Sequence, residues 1–160
     1  MRQQTRQTLW IAIFAVLVLA PLAIFIPGLG PESRTFWREL SVGLGFIGLT
    51  MMGIQFIPTA RRPFLAEVFP PDELYRKHHR LSILAFALTL AHPVVLFIQN
   101  PYTLRRLNLW TAPWRARAGV ASVAFLIVLV VTSVRRLELQ LSYEPWRLLH
   151  DVLSVAVIGF

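Results

Sequence analysis

Four long stretches of the chain contain no Asp, Glu, Lys or Arg: residues 7–31, 40–60, 81–104 and 118–134, with lengths of 25, 21, 24 and 17. An α-helix needs about 20 apolar residues, within a range of about 17 to 25, to cross the hydrocarbon core of a bilayer. The pattern therefore predicts transmembrane helices over 9–26, 40–58, 81–98 and 118–134. A fifth apolar run starts at Val152 and continues to Phe160, which predicts the start of a fifth helix over 147–160. The expected fold is an all-α membrane protein, a helical bundle with four complete transmembrane helices and an incomplete fifth, in one domain spanning 1–160. Arg2 and Arg6 precede the first run as they would in a signal peptide. That run is long for one and no small-residue cleavage site follows it, so it reads as a retained helix, with Pro21 as a kink.

Within the second run, Gly43, Gly45, Gly48 and Gly53 are interleaved with large apolar residues, and Ser41 with Gly45 makes a small-xxx-small pair. Small side chains let helices approach closely in lipid. Gln55 is expected to find an interhelical hydrogen bond, and Met51 and Met52 to serve in packing. Two connecting segments are long. The first, 59–77, has Pro58, Pro63, Pro70 and Pro71 in or beside it. The second, 99–117, mixes Pro101, Tyr102, Trp110, Pro113 and Trp114 with four arginines. Aromatic residues of this kind settle at headgroup level, so the second segment reads as an interfacial loop, or as a rim that covers a cofactor or attracts an anionic acceptor.

Composition agrees with a membrane setting: 56% of the 160 residues are hydrophobic and 15% charged, against roughly 25% charged in soluble domains. The net charge of +8 does not indicate a nucleic-acid partner, because the arginines cluster at the ends of apolar runs, where they suit a lipid bilayer. With the N-terminus cytoplasmic, the inner side holds Arg2, Arg6, Arg61, Arg62, Arg76, Lys77, Arg80, Arg135, Arg136 and Arg147. The outer side holds Arg34, Arg38, Arg105, Arg106, Arg115 and Arg117. The positive-inside rule favours this orientation, in which the third and fifth helices run outward. Cysteine is absent, which excludes iron–sulfur clusters, thiolate haem ligation and disulfides carried on this chain.

His92 stands in the middle of the third apolar run, and His78 lies fourteen positions upstream at its mouth. Ionisable side chains within a membrane helix are costly, so they face the protein interior and mark function. Fourteen residues of helix advance about 21 Å and rotate to about 40° short of four full turns, which puts both imidazoles on nearly one face at two depths. His79 falls about 140° away. The separation suits two metal centres, one near each side of a bilayer, and neutral imidazole is a common ligand of metals, haem iron included. The alternatives are a hydrogen-bonded packing role for His92 and a basic juxtamembrane role for His78 and His79. In Tyr143-Glu144-Pro145-Trp146-Arg147-Leu148-Leu149-His150, Pro145 suits the first turn of a helix and His150 falls at its start. With the N-terminus inside, His150 shares the membrane side and depth of His78. The two can grip one iron from opposite faces, or His150 can be an interface residue without metal.

The stretch Tyr75-Arg76-Lys77-His78-His79-Arg80-Leu81-Ser82, continuing through Ala85-Phe86 to His92-Pro93, resembles the third helix of the ferric reductase-like transmembrane domain. That family includes bacterial ferric reductases and the NADPH oxidases. Glu144-Pro145-Trp146-Arg147-Leu148-Leu149-His150 resembles the start of its fifth helix, and the glycine-bearing second run also fits. The resemblance covers about 39–160 and implies six transmembrane helices around two b-type haems, each held by one histidine from the third helix and one from the fifth. His78 and His150 would hold the inner haem, and His92 one side of the outer haem, whose other ligand is expected about thirteen residues beyond His150, past Phe160. Ser82 replaces a glycine common in relatives. Arg80 and Arg147 are candidates to pair with haem propionates, with lipid phosphate as the alternative partner.

The implied function is that of a haem electron conduit, the membrane part of an oxidoreductase that is incomplete on its own. Electrons would come from a cytoplasmic flavin and NAD(P)H donor and pass to an acceptor such as ferric iron or dioxygen on the other side. No glycine-rich nucleotide fingerprint is present, so FAD and NAD(P)H are expected on a further domain or a separate flavin dehydrogenase subunit. The implied location is a bacterial inner membrane. The alternatives are a haem-binding subunit that serves a separate periplasmic reductase, and a haem-free small transporter or structural bundle whose histidines relay protons.

Overall fold

A computed structural model of the chain describes residues 3–25, 35–59 and 67–159, without the side chains of 24, 25, 58 and 59. Arg2, Arg34, Arg61 and Arg62, which contribute to the charge asymmetry, lie outside the described residues, as do Pro63 and Phe160. The helices are α1 (Gln3–Phe25), α2 (Phe36–Ile54), a single turn α3 (Phe56–Thr59), α4 (Pro71–Gln99), a 3-10 helix (Pro101–Leu107), α5 (Trp114–Val134) and α6 (Tyr143–Gly159). No strand occurs among the described residues.

Three helices are long and apolar enough to cross a membrane, at Gln3–Ala23, Pro71–Gln99 and Trp114–Val134, where the apolar runs lead one to expect four. The second, α2, is 19 residues long, but it starts upstream of its apolar run and takes Trp37, Arg38 and Glu39 into its first turns, which lowers its mean hydropathy. The largest shift of a boundary is in α4, which begins ten residues before its apolar run. The reason is local. The Pro70 carbonyl accepts from the N–H groups of Glu73 at 3.0 Å and Leu74 at 3.1 Å, and Pro71 occupies the first position, where no N–H is needed. Asp72 and Glu73 complement the positive helix end and pair one turn on with Arg76 and Lys77, each at 2.9 Å. His78 therefore lies about two turns inside a continuous helix, while still standing at the mouth of the uncharged run.

The chain divides into two compact units, Met1–Val95 and Leu96–Phe160. In the first, Val18 of α1, Met51 of α2 and Ala85 of α4 form the buried core, flanked by Phe14, Ile47, Met52, Leu81 and Leu88. Both methionines are packing residues. Helices α2 and α4 run antiparallel and touch through small residues. A Cβ on Gly48 would meet Thr89 Oγ1, stand 2.9 Å from the Thr89 nitrogen and 3.0 Å from the Ala85 carbonyl oxygen. Two of those three atoms are backbone, so no side-chain rotation relieves the contact. Near the end of α2, Ser82 Oγ donates to Gln55 Oε1 at 2.9 Å, the interhelical bond expected of that glutamine. At the start of α1, which continues through Pro21, Gln7 Nε2 donates to the Val68 carbonyl at 3.1 Å. Val68 and Phe69 are buried there against Trp10 and Leu74.

In the second unit, α5 and α6 form an antiparallel hairpin with Ala118, Leu126, Leu153 and Val157 buried. Ser122 Oγ donates to the Val157 carbonyl at 2.9 Å, tying the two helices together. The turn between them closes by a Leu141 N–H to Arg136 carbonyl bond of 3.0 Å, with Gln140 held at φ 52°. Upstream, Asn100 and Asn108 organise the loop by accepting from the Tyr102 and Trp110 N–H groups, each at 3.1 Å. Arg117 Nε donates to the Ala112 carbonyl at 2.8 Å. The loop turns its aromatics outward, with Trp110 91% and Trp114 72% exposed.

Two substitutions test this packing. Gly48→Ala is expected to destabilise the detergent-solubilised protein by about 1–3 kcal/mol, the usual cost of overpacking, even though alanine favours helix by roughly 1 kcal/mol. Gly53→Ala, where an added Cβ meets nothing within 4 Å, is expected to be neutral or stabilising; thermal unfolding of the two variants side by side checks the contrast. Gln140→Gly is expected to raise the unfolding temperature, because a non-glycine residue in the left-handed region costs about 1–2 kcal/mol and the added freedom of glycine in the unfolded chain offsets only about 0.4–1 of it.

Candidate functional site

His78 and His92 both sit on α4, half-buried, and the helix is continuous between them. The fourteen-residue step therefore holds as helix: about 21 Å along the axis and about 40° around it. His79 and Arg80 are exposed on the same helix. His150 is half-buried on α6 in the second unit. Arg147, three residues earlier, is exposed, with its Nη2 3.3 Å from Glu144 Oε2 and its guanidinium 5.9 Å from the Tyr143 ring centre.

The hydrogen bonds of His92 settle its tautomer. Its Nδ1 lies 2.8 Å from the Ser41 carbonyl oxygen and 3.0 Å from Ser41 Oγ. A carbonyl oxygen carries no hydrogen, so Nδ1–H is the donor. The serine hydroxyl donates its own hydrogen to the His92 carbonyl at 2.8 Å, so its oxygen is free to accept. In the neutral ring the proton on Nδ1 leaves the lone pair on Nε2. Hydrogen bonding of one ring nitrogen to a carbonyl, with the other left as ligand, is the usual way a metal-binding histidine is oriented.

His150 follows the same logic through a hydroxyl. Its Nδ1 lies 3.0 Å from Ser133 Oγ, and Ser133 Oγ donates to the Leu129 carbonyl at 2.6 Å. The serine hydroxyl thus ties the imidazole to the backbone of α5. Trp146, one turn earlier, packs against the imidazole with ring centres 5.4 Å apart. The Arg136 guanidinium lies over Trp146 at 5.0 Å and over Tyr143 at 5.2 Å, within cation–π range. The Trp146 indole N–H is buried and has no acceptor among the described residues.

Sequence reasoning selected the histidines but not the serines that orient two of them. Ser41 is visible beforehand only as half of a small-xxx-small pair, and Ser133 carries no signal, because nothing in the order of residues says which hydroxyl an imidazole meets across a helix interface. Arg136 was likewise counted as one of several basic residues at a helix end. Among the described residues no group of three or more His, Cys, Asp or Glu converges on a metal position.

No curated protein and no solved structure matches the chain. Residues 44–160 match the family described as ferric reductase like transmembrane component, a stretch that takes in most of α2 and all of α4, α5 and α6. With three helices apolar enough to cross a bilayer, this is an integral membrane protein, and it belongs to the ferric reductase like transmembrane component family, an oxidoreductase-related group.

Proposed function

We propose that the protein is a transmembrane b-type haem electron conduit that takes electrons from a cytoplasmic flavin and NAD(P)H donor and delivers them to an acceptor such as ferric iron or dioxygen on the other side. The observation that carries this reading is the state of His92: an imidazole within a membrane-crossing helix, hydrogen-bonded only at Nδ1 among the described residues, with its lone pair on Nε2. A packing histidine needs its N–H satisfied; a ligand needs its other nitrogen kept as an acceptor as well, and the donor set here fits a histidine that would hold haem iron. Bound between such histidines, a b-type haem supplies reversible one-electron iron chemistry.

The chain's own part is ligation, orientation and exclusion of water. In this reading His78 and His150 are haem ligands on the cytoplasmic side, and His92 is a ligand about 21 Å further along α4 than His78. Four complete spans, with α2 as the second, together with α6 make up the membrane part, in a bacterial inner membrane with the N-terminus cytoplasmic. Arg80, Arg147 and the buried Trp146 N–H are the donors suited to haem carboxylates. Electrons enter from a flavin dehydrogenase domain or subunit, since this chain carries no nucleotide fingerprint.

The test is an absorption spectrum of the purified, detergent-solubilised chain, oxidised and dithionite-reduced. A low-spin b-type spectrum is expected. His78→Leu and His150→Leu should each remove most of it, whereas His92→Leu should leave the signal of the His78 site nearly unchanged. A wild-type preparation that takes up no haem on reconstitution would refute the reading, and loss of all haem in His92→Leu would refute the assignment of two separate sites.

A further inference from the structure

We infer that Ser41 and Gly45 of α2 are positioning residues for His92, which fix its imidazole as the Nδ1–H tautomer and so keep Nε2 as the atom offered for ligation. The ligating role rests on the haem reading above; the tautomer and its cause do not. Ser41 also lies outside the residues matched to the family, so this role is not contained in that match.

Three observations converge. The first is reciprocity: Ser41 and His92 exchange two hydrogen bonds of 2.8 Å, hydroxyl to carbonyl in one direction and Nδ1–H to carbonyl in the other. Each residue's side chain is thereby tied to the other's backbone, and the imidazole cannot turn about χ1 or χ2 without breaking its bond to Ser41. The second is burial: Ser41 is 0% exposed, so water does not compete for its hydroxyl or carbonyl. The third is the floor under the ring. A Cβ added to Gly45 would stand 3.1 Å from His92 Cγ, 3.3 Å from Nδ1 and 3.4 Å from Cβ. These atoms are the root of the side chain, not a flexible tip, so a side chain at position 45 would press the ring away from its place against Ser41 by a few tenths of an ångström.

The tautomer is a consequence of this cradle. Which ring nitrogen holds the proton is set by the partner of the other, and a neutral histidine in water favours the proton on Nε2. A carbonyl opposite Nδ1 reverses that preference, because an unprotonated Nδ1 would face the oxygen lone pairs. The glycine and serine that serve as close-packing residues along the α2–α4 seam thus also set the chemistry of the one imidazole in the middle of α4.

The tautomer is readable without haem, from the ¹⁵N resonances of His92 in the histidine-labelled chain in lipid bilayers, recorded at alkaline pH and assigned by their loss in His92→Gln. A pyrrole-type Nδ1 and a pyridine-type Nε2 are expected. Ser41→Ala keeps the carbonyl but loses the hydroxyl lock, and a second population protonated on Nε2 is expected to appear. Gly45→Ala should produce the same change by displacing the ring. Ser82→Ala, which removes the other hydrogen bond of the same helix pair, should leave His92 as in the wild type. A wild-type His92 protonated on Nε2 would overturn the inference, as would a Ser82→Ala variant that shifts the tautomer as far as Ser41→Ala does. In the haem-loaded chain, the part of the electron paramagnetic resonance signal that depends on His92 should change its g-values in Ser41→Ala. If the expected tautomer pattern holds but the chain binds no haem, the haem reading fails while the cradle stands; if haem binds and Ser41→Ala alters neither spectrum, the cradle fails while the haem reading stands.

Discussion

The close approach of α2 to α4 is the constraint on which the candidate site depends. In an apolar environment an imidazole N–H must be satisfied by the protein, since no water does it. For His92 the acceptor is a backbone carbonyl on the neighbouring helix, and helix carbonyls are within reach only where side chains do not hold the backbones apart. Gly45 and Gly48 remove those side chains. The seam is therefore more than packing: Ala85 and Thr89 against Gly48 set the distance, and that distance brings Ser41 to His92. A change at Gly48, which touches no histidine, acts on the His92 geometry through the spacing of the two helices.

The second unit reaches a similar end by a different route. There the partner of Nδ1 is the hydroxyl of Ser133, which also bonds the Leu129 carbonyl one turn back. The histidine is then surrounded by aromatic and cationic side chains, Trp146 against the ring and Arg136 over Trp146. A guanidinium spread over two aromatic faces keeps its charge near the start of α6 without an acidic partner among the described residues, which distinguishes Arg136 from Arg147, whose charge is met by Glu144. The hairpin that produces this arrangement depends on the left-handed Gln140 at the turn, so local backbone geometry and the surroundings of His150 are coupled.

Much of this was legible in the order of residues. Three of the four long uncharged runs fell in helices long and apolar enough to cross a membrane, the fourteen-residue step put His78 and His92 on one helix face, and the glycines of the second run marked a close contact. These features depend on local periodicity and on the cost of burying charge, both of which follow from residue type alone. Helix boundaries were less legible, since α4 gains its first ten residues from acidic residues, a proline and ion pairs one turn apart, not from apolar patterning. For the same reason α2 fell short as a crossing helix: its charged first turns are helical without being apolar.

What only the tertiary structure decided is the partner of each histidine. Ser41 and His92 are separated by 51 residues and Ser133 and His150 by 17, and in both cases the bond exists because two helices run antiparallel at a particular register. A shift of one residue in either helix turns the serine about 100° away from the seam and leaves the imidazole without its acceptor. Sequence by itself determined that this chain is helical, that it lies in a membrane and that its histidines are costly enough to need a purpose. Which ring nitrogen holds the proton was decided by the packing of one helix on another, because a hydrogen bond depends on distance and direction, and neither is a property of a residue alone.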